Sequence, residues 1–253
     1  MTKPYLLAES TWETIRAIAF EVAIVPWGAT EAHNRHLPYA TDTIETEAVA
    51  ARAAELAWDR GAKVLVLPAV PFGVQTGQLD VPFCLNLNPS TQALVLRDLI
   101  ESLEPHGIGK LVVLNGHGGN DFRQIIRELQ PGSSIFLCQA NWYAAADPKS
   151  FFAVPGDHAG ELETSVTLAL APRLVRPLSE AGPGKARRFK VRALREGWAW
   201  APRQWTQVTD DTGVGDPKEA TVEKGERFLA AVTDRLAEFL VELAKADPHS
   251  LYE

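Results

Sequence analysis

Apolar residues fall along the chain in short unbroken runs that stop at turn residues. Residues 22–25 end at Pro26, 64–67 at Pro68, 111–114 at Asn115 and Gly116, and 135–138 at Gln139. An unbroken run, as opposed to strict alternation, marks a strand covered on both faces. Between the runs the spacing turns helical. Residues 43–58 carry Val49, Ala53 and Leu56. Pro89–Leu103 opens on Pro-Ser-Thr and carries Leu94, Leu99 and Leu103. Residues 121–129 carry Phe122, Ile125, Ile126 and Leu129. A last helix over about 221–244 shows the stripe Leu229, Val232, Leu236, Phe239, Leu240 and Leu243. Strand alternating with helix predicts an α/β layered sandwich with a mostly parallel central sheet and right-handed crossovers. The least regular part is 172–217. It holds Arg187-Arg188 and Trp198, Trp200 and Trp205, and reads as a β-rich insertion or a flap over a site.

Composition narrows the class. The 253 residues suit a single domain over 1–253 with a core large enough to need no disulfide or metal to fold. With 46% hydrophobic and 23% charged residues the chain is neither disordered nor fibrous. No apolar run reaches about 18 residues, which argues against a membrane span, and the start shows no secretory leader. A net charge of −7 lacks the footprint of a nucleic-acid binder. Cys84 and Cys138 form no CxxC and read as small buried hydrophobes in a reduced, cytoplasmic protein.

The polar residues with chemistry follow the strands. After the first comes Gly28-Ala29-Thr30-Glu31-Ala32-His33-Asn34-Arg35-His36, then Thr41-Asp42-Thr43. After the third comes Asn115-Gly116-His117-Gly118-Gly119-Asn120. Later comes Asp157-His158-Ala159-Gly160-Glu161-Leu162-Glu163. Ligands of an open parallel sheet bind beyond the carboxyl ends of its strands. Glu, His and Asp together are a ligand set for zinc, manganese or iron. A carboxylate such as Asp42 can bridge two ions, and Glu31 and His33, two residues apart, feed one ion each most easily. Four of six histidines fall in these segments; His106 and His249 read as surface residues. The glycines around His117 do not make a dinucleotide loop, because Asp121 stands where the third glycine belongs. No P-loop lysine and no GxSxG elbow is present. The segment after Asp157 reads as a helix opening with His158 at its start. Ala159, Leu162, Val166, Ala169 and Leu170 share a face, Glu163 flanks it, and Glu161 points away. Glu163, not Glu161, therefore reaches an interior site.

These segments, with Gly215-Asp216-Pro217, Ala220-Thr221 and Glu223-Lys224-Gly225, resemble the creatininase family over nearly the whole chain. The resemblance implies a layered α/β fold, about two divalent metals per subunit (Zn, Mn or Fe) and hydrolysis by a metal-held water. It also implies a homo-oligomer, often a hexamer built as a trimer of dimers. By position, Glu31, Asp42 and His117 correspond to ligands of one ion with Asp42 bridging, and His33 to a ligand of the second. The family glutamate that completes the second ion falls at Gly119 here, and Glu163 is the replacement. His158 matches the substrate-facing histidine and is the expected proton carrier, with Glu163 beside it. Gln75 and Gln78, with the backbone of Gly118 and Gly119, are the expected substrate contacts. The loop after the second strand departs from many relatives, which turns the expectation from creatinine towards another small cyclic or amide substrate. Relatives include formamide deformylases, a peptide-trimming enzyme and a hydrolase that opens an oxidised inositol ring. The competing expectations are a ring-opening hydrolase or isomerase acting on an inosose or sugar-like ketone, and an inactive metal-binding homologue.

Overall fold

The computed structural model describes residues 3–253. Four strands, β1 (Val22–Trp27), β2 (Val64–Val66), β3 (Lys110–Asn115) and β4 (Phe136–Asn141), form one sheet in the order β2-β1-β3-β4. Every pairing is parallel: Val22 faces Val64, Ala23 faces Leu111 and Lys110 faces Phe136. Eight helices accompany the strands among the described residues: α1 (Trp12–Ile15), α2 (Thr41–Asp59), α3 (Pro89–Leu103), α4 (Phe122–Leu129), α5 (Glu161–Leu170), α6 (Arg192–Glu196), α7 (Trp205–Val208) and α8 (Val222–Lys245). The α/β layered reading holds, and the apolar runs land on strands.

Both sheet faces are covered, as unbroken runs require. Val22, Ile24, Val64, Val66, Val112 and Leu114 face one core with Val49 and Ala53 of α2 and Leu229, Val232, Leu236 and Leu240 of α8. Ala23, Val25, Trp27, Leu65, Leu111 and Val113 face the other with Leu96 and Ile100 of α3 and Phe122 and Ile125 of α4. Alternate residues of one strand thus serve opposite cores. α8 is capped by Thr221, whose hydroxyl accepts from Lys224 N and satisfies one of the free donors of the first turn. Among the described residues no helix is long and apolar enough to cross a membrane.

One expectation fails. Residues 172–217 contain no strand; they run through short 3-10 turns, α6 and α7, and touch the β pattern only where Val214 bridges His158. Glycines and prolines interrupt the stretch and its apolar residues do not alternate, so nothing in it favours a ladder.

The strand order sets the place of the site. From β1 the chain moves to β2 on one side, and β3 lies on the other, so the crevice beyond β1 and β3 is a switch point. α2 enters that crevice end-on. Gly116 makes this approach feasible, because a Cβ there would overlap Thr46 Oγ1 of α2.

Candidate metal centre

Five segments converge at the switch point. The turn after β1 delivers Glu31 and His33, the first turn of α2 delivers Asp42, and the turn after β3 delivers His117. The loop before α5 delivers His158, and the first turn of α5 delivers Glu163. Glu31, His33, Asp42, His117 and His158 are all buried. His117 Nδ1 lies 2.8 Å from Glu31 Oε1 and 3.0 Å from Asp42 Oδ2. His33 Nε2 lies 3.0 Å from the other Asp42 oxygen. His158 Nδ1 stands 3.7 Å from Glu31 Oε1, and its ring centre is 4.2 Å from that of His33. Donor atoms of Glu31, Asp42 and His117 gather within 4.8 Å of one another, as do those of His33, Asp42 and Glu163, and of Glu31, His33 and His158. Asp42 belongs to two of these groups and turns one oxygen to each.

The backbone decides which ring nitrogens face the carboxylates. His117 Nε2 donates to Val74 O at 3.0 Å, His33 Nδ1 to Glu31 O at 3.0 Å, and His158 Nε2 to Ala32 O at 2.8 Å. A carbonyl only accepts, so each of these nitrogens carries the proton. The opposite nitrogen of each neutral ring is then a lone pair aimed at carboxylate oxygens. Three rings held this way match the support that metal-ligating histidines receive. Asp42 Oδ2 is buried and receives no aligned hydrogen bond despite the nearby His117 nitrogen. Acceptors facing acceptors in a buried space call for positive charge between them.

The titration behaviour agrees. Burial pushes the Glu31 and Asp42 carboxyls up, but the charges of His117 and His158 on Glu31, and of His33 and His117 on Asp42, overcome it and hold both below the carboxylate range. Burial pushes His33 and His117 down, but Asp42 raises His33 to about 10, and Glu31 with Asp42 holds His117 well above the usual imidazole value. Protons on these rings fill the place that cations would take. Glu163 is raised by burial, with His33 and His158 opposing. Glu45, one turn along α2 from Asp42, is raised well above the carboxylate range by burial and by the charge of Glu163, and it accepts from the Thr167 hydroxyl at 2.8 Å. His36 is excluded from the centre: its Nε2 meets Thr164 Oγ1 at 2.9 Å, and burial with the His33 charge lowers it to about 4.

Several sequence expectations need adjustment. α5 begins at Glu161, so His158 precedes the helix and sits in an antiparallel bridge with Val214. Glu163 Oε2 accepts from Ala159 N, and Glu163 shares a group with His33 and Asp42. Glu161 points away from the centre but not into solvent. It is buried, takes Lys224 Nζ at 2.5 Å, and accepts from Val154 N at 2.7 Å. Gly119 cannot be replaced by a glutamate without cost, because a Cβ there would overlap Val74 O and the His117 ring. Gly118 and Gly119 are exposed. Gln75 is buried with neither amide atom hydrogen-bonded, whereas the Gln78 amide is already engaged, donating to Glu31 Oε2. Cys84 sets that orientation: its sulfur accepts from Ala32 N at 3.3 Å and its S–H donates to Gln78 Oε1 at 3.1 Å.

Three neighbours of the centre were given no partner by the sequence reading, although Trp205 lay in the stretch read as a possible flap. Trp205 packs edge-on against the His158 ring at 4.7 Å, Arg203 pairs with Asp157 at 2.9 Å, and Glu45 underlies Asp42. Trp205 and Arg203 stand more than forty positions beyond His158 and Asp157, where no spacing rule reaches. Glu45 sits at one-turn spacing from Asp42, and that was the one available signal.

Comparison with known proteins agrees with this geometry. Residues 8–240 match the family model described as creatininase, creatinine amidohydrolase. A putative creatinine amidohydrolase from Bacteroides fragilis NCTC 9343 superposes with a TM-score of 0.94 at 43% identity, covering 100% of both chains. The creatinine amidohydrolase of Pseudomonas putida is 30% identical over 200 residues, 69% of this chain and 75% of its own. A mycofactocin precursor peptide peptidase of Mycobacterium tuberculosis (strain ATCC 25618 / H37Rv) is 31% identical over 224 residues, 83% of this chain and 81% of its own. A variant creatininase of Zn-Zn type superposes with a TM-score of 0.76 at 26% identity, covering 96% of this chain and 99% of that one. The chain belongs to the creatininase family and is one of its amidohydrolases.

Proposed function

We propose that this protein hydrolyses a C–N bond in a small cyclic or amide substrate with two divalent cations per subunit. Glu31, Asp42 and His117 would hold one, and His33, Asp42 and Glu163 the other, with Asp42 shared. The observation that carries this reading is the set of three carbonyl-locked histidines, whose free nitrogens point at buried carboxylate oxygens. The Zn-Zn form of a creatininase supports the count and a zinc-type ion. When bound, such cations supply Lewis acidity, bringing a water towards a neutral pKa and polarising a carbonyl.

The chain's own residues do the rest. His158 is held in one tautomer by Ala32 O and stands at the edge of the centre, with Nδ1 free to carry a proton to a leaving nitrogen. Trp205 packs edge-on against the same ring at 4.7 Å and helps to hold its plane. Glu163 stands at the same end of the centre and offers a second proton acceptor. Gln75, buried with both amide atoms free, suits a substrate carbonyl or N–H. The backbone of Gly118 and Gly119 lines the same turn. Gln78 is better read as a holder of Glu31 than as a substrate contact. The relatives include enzymes named for creatinine and for a peptide, so the shared chemistry is amide cleavage. The free cysteines Cys84 and Cys138 suit a reducing cytoplasm.

The test is a screen of cyclic amides, formamides and inososes with Zn- and Mn-loaded protein, products being followed by mass in oxygen-18 water. One heavy oxygen in the newly formed carboxylate and none in the released amine, with loss of turnover on chelation, is expected. Turnover that incorporates no solvent oxygen would replace hydrolysis with isomerisation, and a protein that takes up no divalent metal would end the reading.

A further inference from the structure

Ala220-Thr221 and Glu223-Lys224-Gly225 stand far along the chain from every candidate ligand, and the chemistry proposed above does not use them. In the fold they meet the segment that carries His158 and Glu163. That segment follows no strand directly: β4 ends at Asn141, and 3-10 turns and a loop separate it from α5. The chain over 214–225 places it instead. Val214 O accepts from Asp157 N at 2.9 Å and from His158 N at 3.2 Å, and Val214 N donates to His158 O at 2.7 Å. Thr221 N donates to Ser165 Oγ at 3.2 Å, and that hydroxyl donates to Glu161 O at 2.7 Å. Gly225 lies against the backbone of α5, where a Cβ would overlap Ser165 O.

One of these ties is charged. Lys224 Nζ, on the first turn of α8, donates to Glu161 Oε1 at 2.5 Å and to Glu219 O at 2.7 Å. The other Glu161 oxygen accepts from Val154 N at 2.7 Å. The Glu161 side chain is 0% exposed and that of Lys224 27%. A buried carboxylate parted from its cation is costly, so the pair fixes where Glu161 can stand. Glu161 and Glu163 share the first turn of α5, two positions and about 200° apart around its axis. Pinning Glu161 on one side therefore sets Glu163 on the other, in the group it makes with His33 and Asp42. The tolerance is small. A side chain reaches about 5–6 Å from a helix axis, so turning α5 by about 10° moves it by about 1 Å. Metal–ligand distances hold to about 0.2 Å. The other ties of α5, Thr164 to His36 and Thr167 to Glu45, are hydroxyl hydrogen bonds, and a charge-assisted bond is the stronger hold.

We infer that Lys224 and Glu161 are positioning residues of the metal centre: their ion pair locks the first turn of α5 against α8 and so sets the place of Glu163 opposite His33 and Asp42. The consequence for metal binding rests on the two-cation reading above.

The experiment is zinc titration of the full chain by competition with a chromophoric chelator, for the wild type, Lys224→Met, Lys224→Arg and Glu161→Gln/Lys224→Met. The double variant leaves no unpaired charge, and its glutamine can still accept from Val154 N, so it keeps the test open if the single variant does not fold. Urea unfolding measures the stability of each. In Lys224→Met and the double variant, one of the two ions should bind about 10–100-fold more weakly and the other as in the wild type. Lys224→Arg, which keeps a cation beside Glu161, should restore binding. In the metal-free protein, amide hydrogen exchange over 154–164 should quicken in the two weakened variants and stay unchanged in β1 and β3. A wild type that takes two ions, with both held as tightly by the variants, would overturn the inference. Equal weakening of both ions in step with lost stability would overturn it too, because that is a structural role alone. A wild type that takes fewer than two ions would end the two-cation reading instead. The positioning role then stands on the metal-free measurement, where quicker exchange over 154–164 supports it and unchanged exchange overturns it.

Discussion

The candidate metal centre and the segment 185–203 are both rich in charge, and they treat it in opposite ways. In the centre every ionisable side chain is buried except the half-buried Glu163, and each carboxylate has a histidine at 2.8 to 3.7 Å or a backbone donor. In the segment no residue is buried, and Lys185, Arg188, Lys190 and Arg195 stand without a carboxylate partner among the described residues. Burial makes unpaired charge costly, so the centre must be almost fully reciprocal within one chain, and the residual mismatch, lone pairs against carboxylates, is what marks it as a candidate cation site. Exposure makes unpaired charge cheap, so the segment can keep its mismatch in water. A mismatch in a buried cluster thus points to an ion, whereas the same mismatch on an exposed segment needs no partner.

The sharpest way to break this contrast is to remove the shared carboxylate. Asp42→Ala leaves His33 and His117 without their common partner, so both ions should be lost, and turnover should fall by on the order of 10³-fold or more. Elemental analysis checks the metal directly. Full metal content in this variant would show that Asp42 bridges nothing. Next in size is His158→Ala, which stands at the edge of the centre. It should keep its metal and lose about 10²–10⁴-fold in rate, with partial rescue by a leaving group that needs no protonation. Full activity on the true substrate would make His158 structural.

Smaller effects test the support around the centre. Gln78→Ala frees Glu31 Oε2 and should weaken metal binding about 10–100-fold, the usual consequence of removing such a support. Cys84→Ser, which keeps a donor to Gln78, should retain most of the affinity, and Cys84→Val should resemble Gln78→Ala. Equal metal affinity in all three, read by competition with a chromophoric chelator, would show that the chain of bonds from Cys84 to Glu31 is idle. Proton competition comes next. His33 has its value raised to about 10 in the metal-free fold, so its contribution to metal-free stability is complete below about 6.5 and is lost as pH climbs through about 10. A cation must displace that proton. Metal affinity should therefore rise by up to about tenfold per pH unit for each proton released near neutrality. Titration calorimetry in buffers of different ionisation enthalpy reads the release directly, and heats independent of buffer would contradict it.

The contrast also explains what could be read from the chain itself. The strands and long helices were legible because each strand buries both faces and each helix one stripe, so burial is written into local spacing. Pro89–Leu103 coincides with its helix, and the last helix differs by one residue at each end. The gathering of the candidate ligands was legible because they follow strand ends, and the helical wheel of α5 turned Glu163 towards His33 and Asp42, with which it groups. For Glu161 a wheel reports direction and not what stands there; Lys224, on another helix, turns that direction into a buried pair. The partners of Gln78 and Trp205, Glu31 and His158, were beyond reach for the same reason, since they come from distant segments. Segment 185–203 failed differently. Its apolar residues obey no period, and none of them is buried in the chain's own fold.

The smallest expected effect is the most direct probe of that last point. Arg188 and Lys190 are exposed and have no ion-pair partner among the described residues, so Arg188→Glu/Lys190→Glu should leave the fold almost untouched. Exposed substitutions of this kind change stability by about 0.5 kcal/mol or less, which in a chain of this size is roughly 1–2 °C in Tm. The comparison has to be made at one protein concentration, because any binding between folded copies raises apparent stability on its own. Under that condition the variant and wild type should unfold together in urea with the same slope. Gly116→Ala is the internal reference: its new methyl would meet Thr46 at the root of the metal centre, and overpacking there should cost about 1–3 kcal/mol at any concentration. A loss of about 2 kcal/mol or more in Arg188→Glu/Lys190→Glu would place the segment inside the fold and remove the distinction between the two regions.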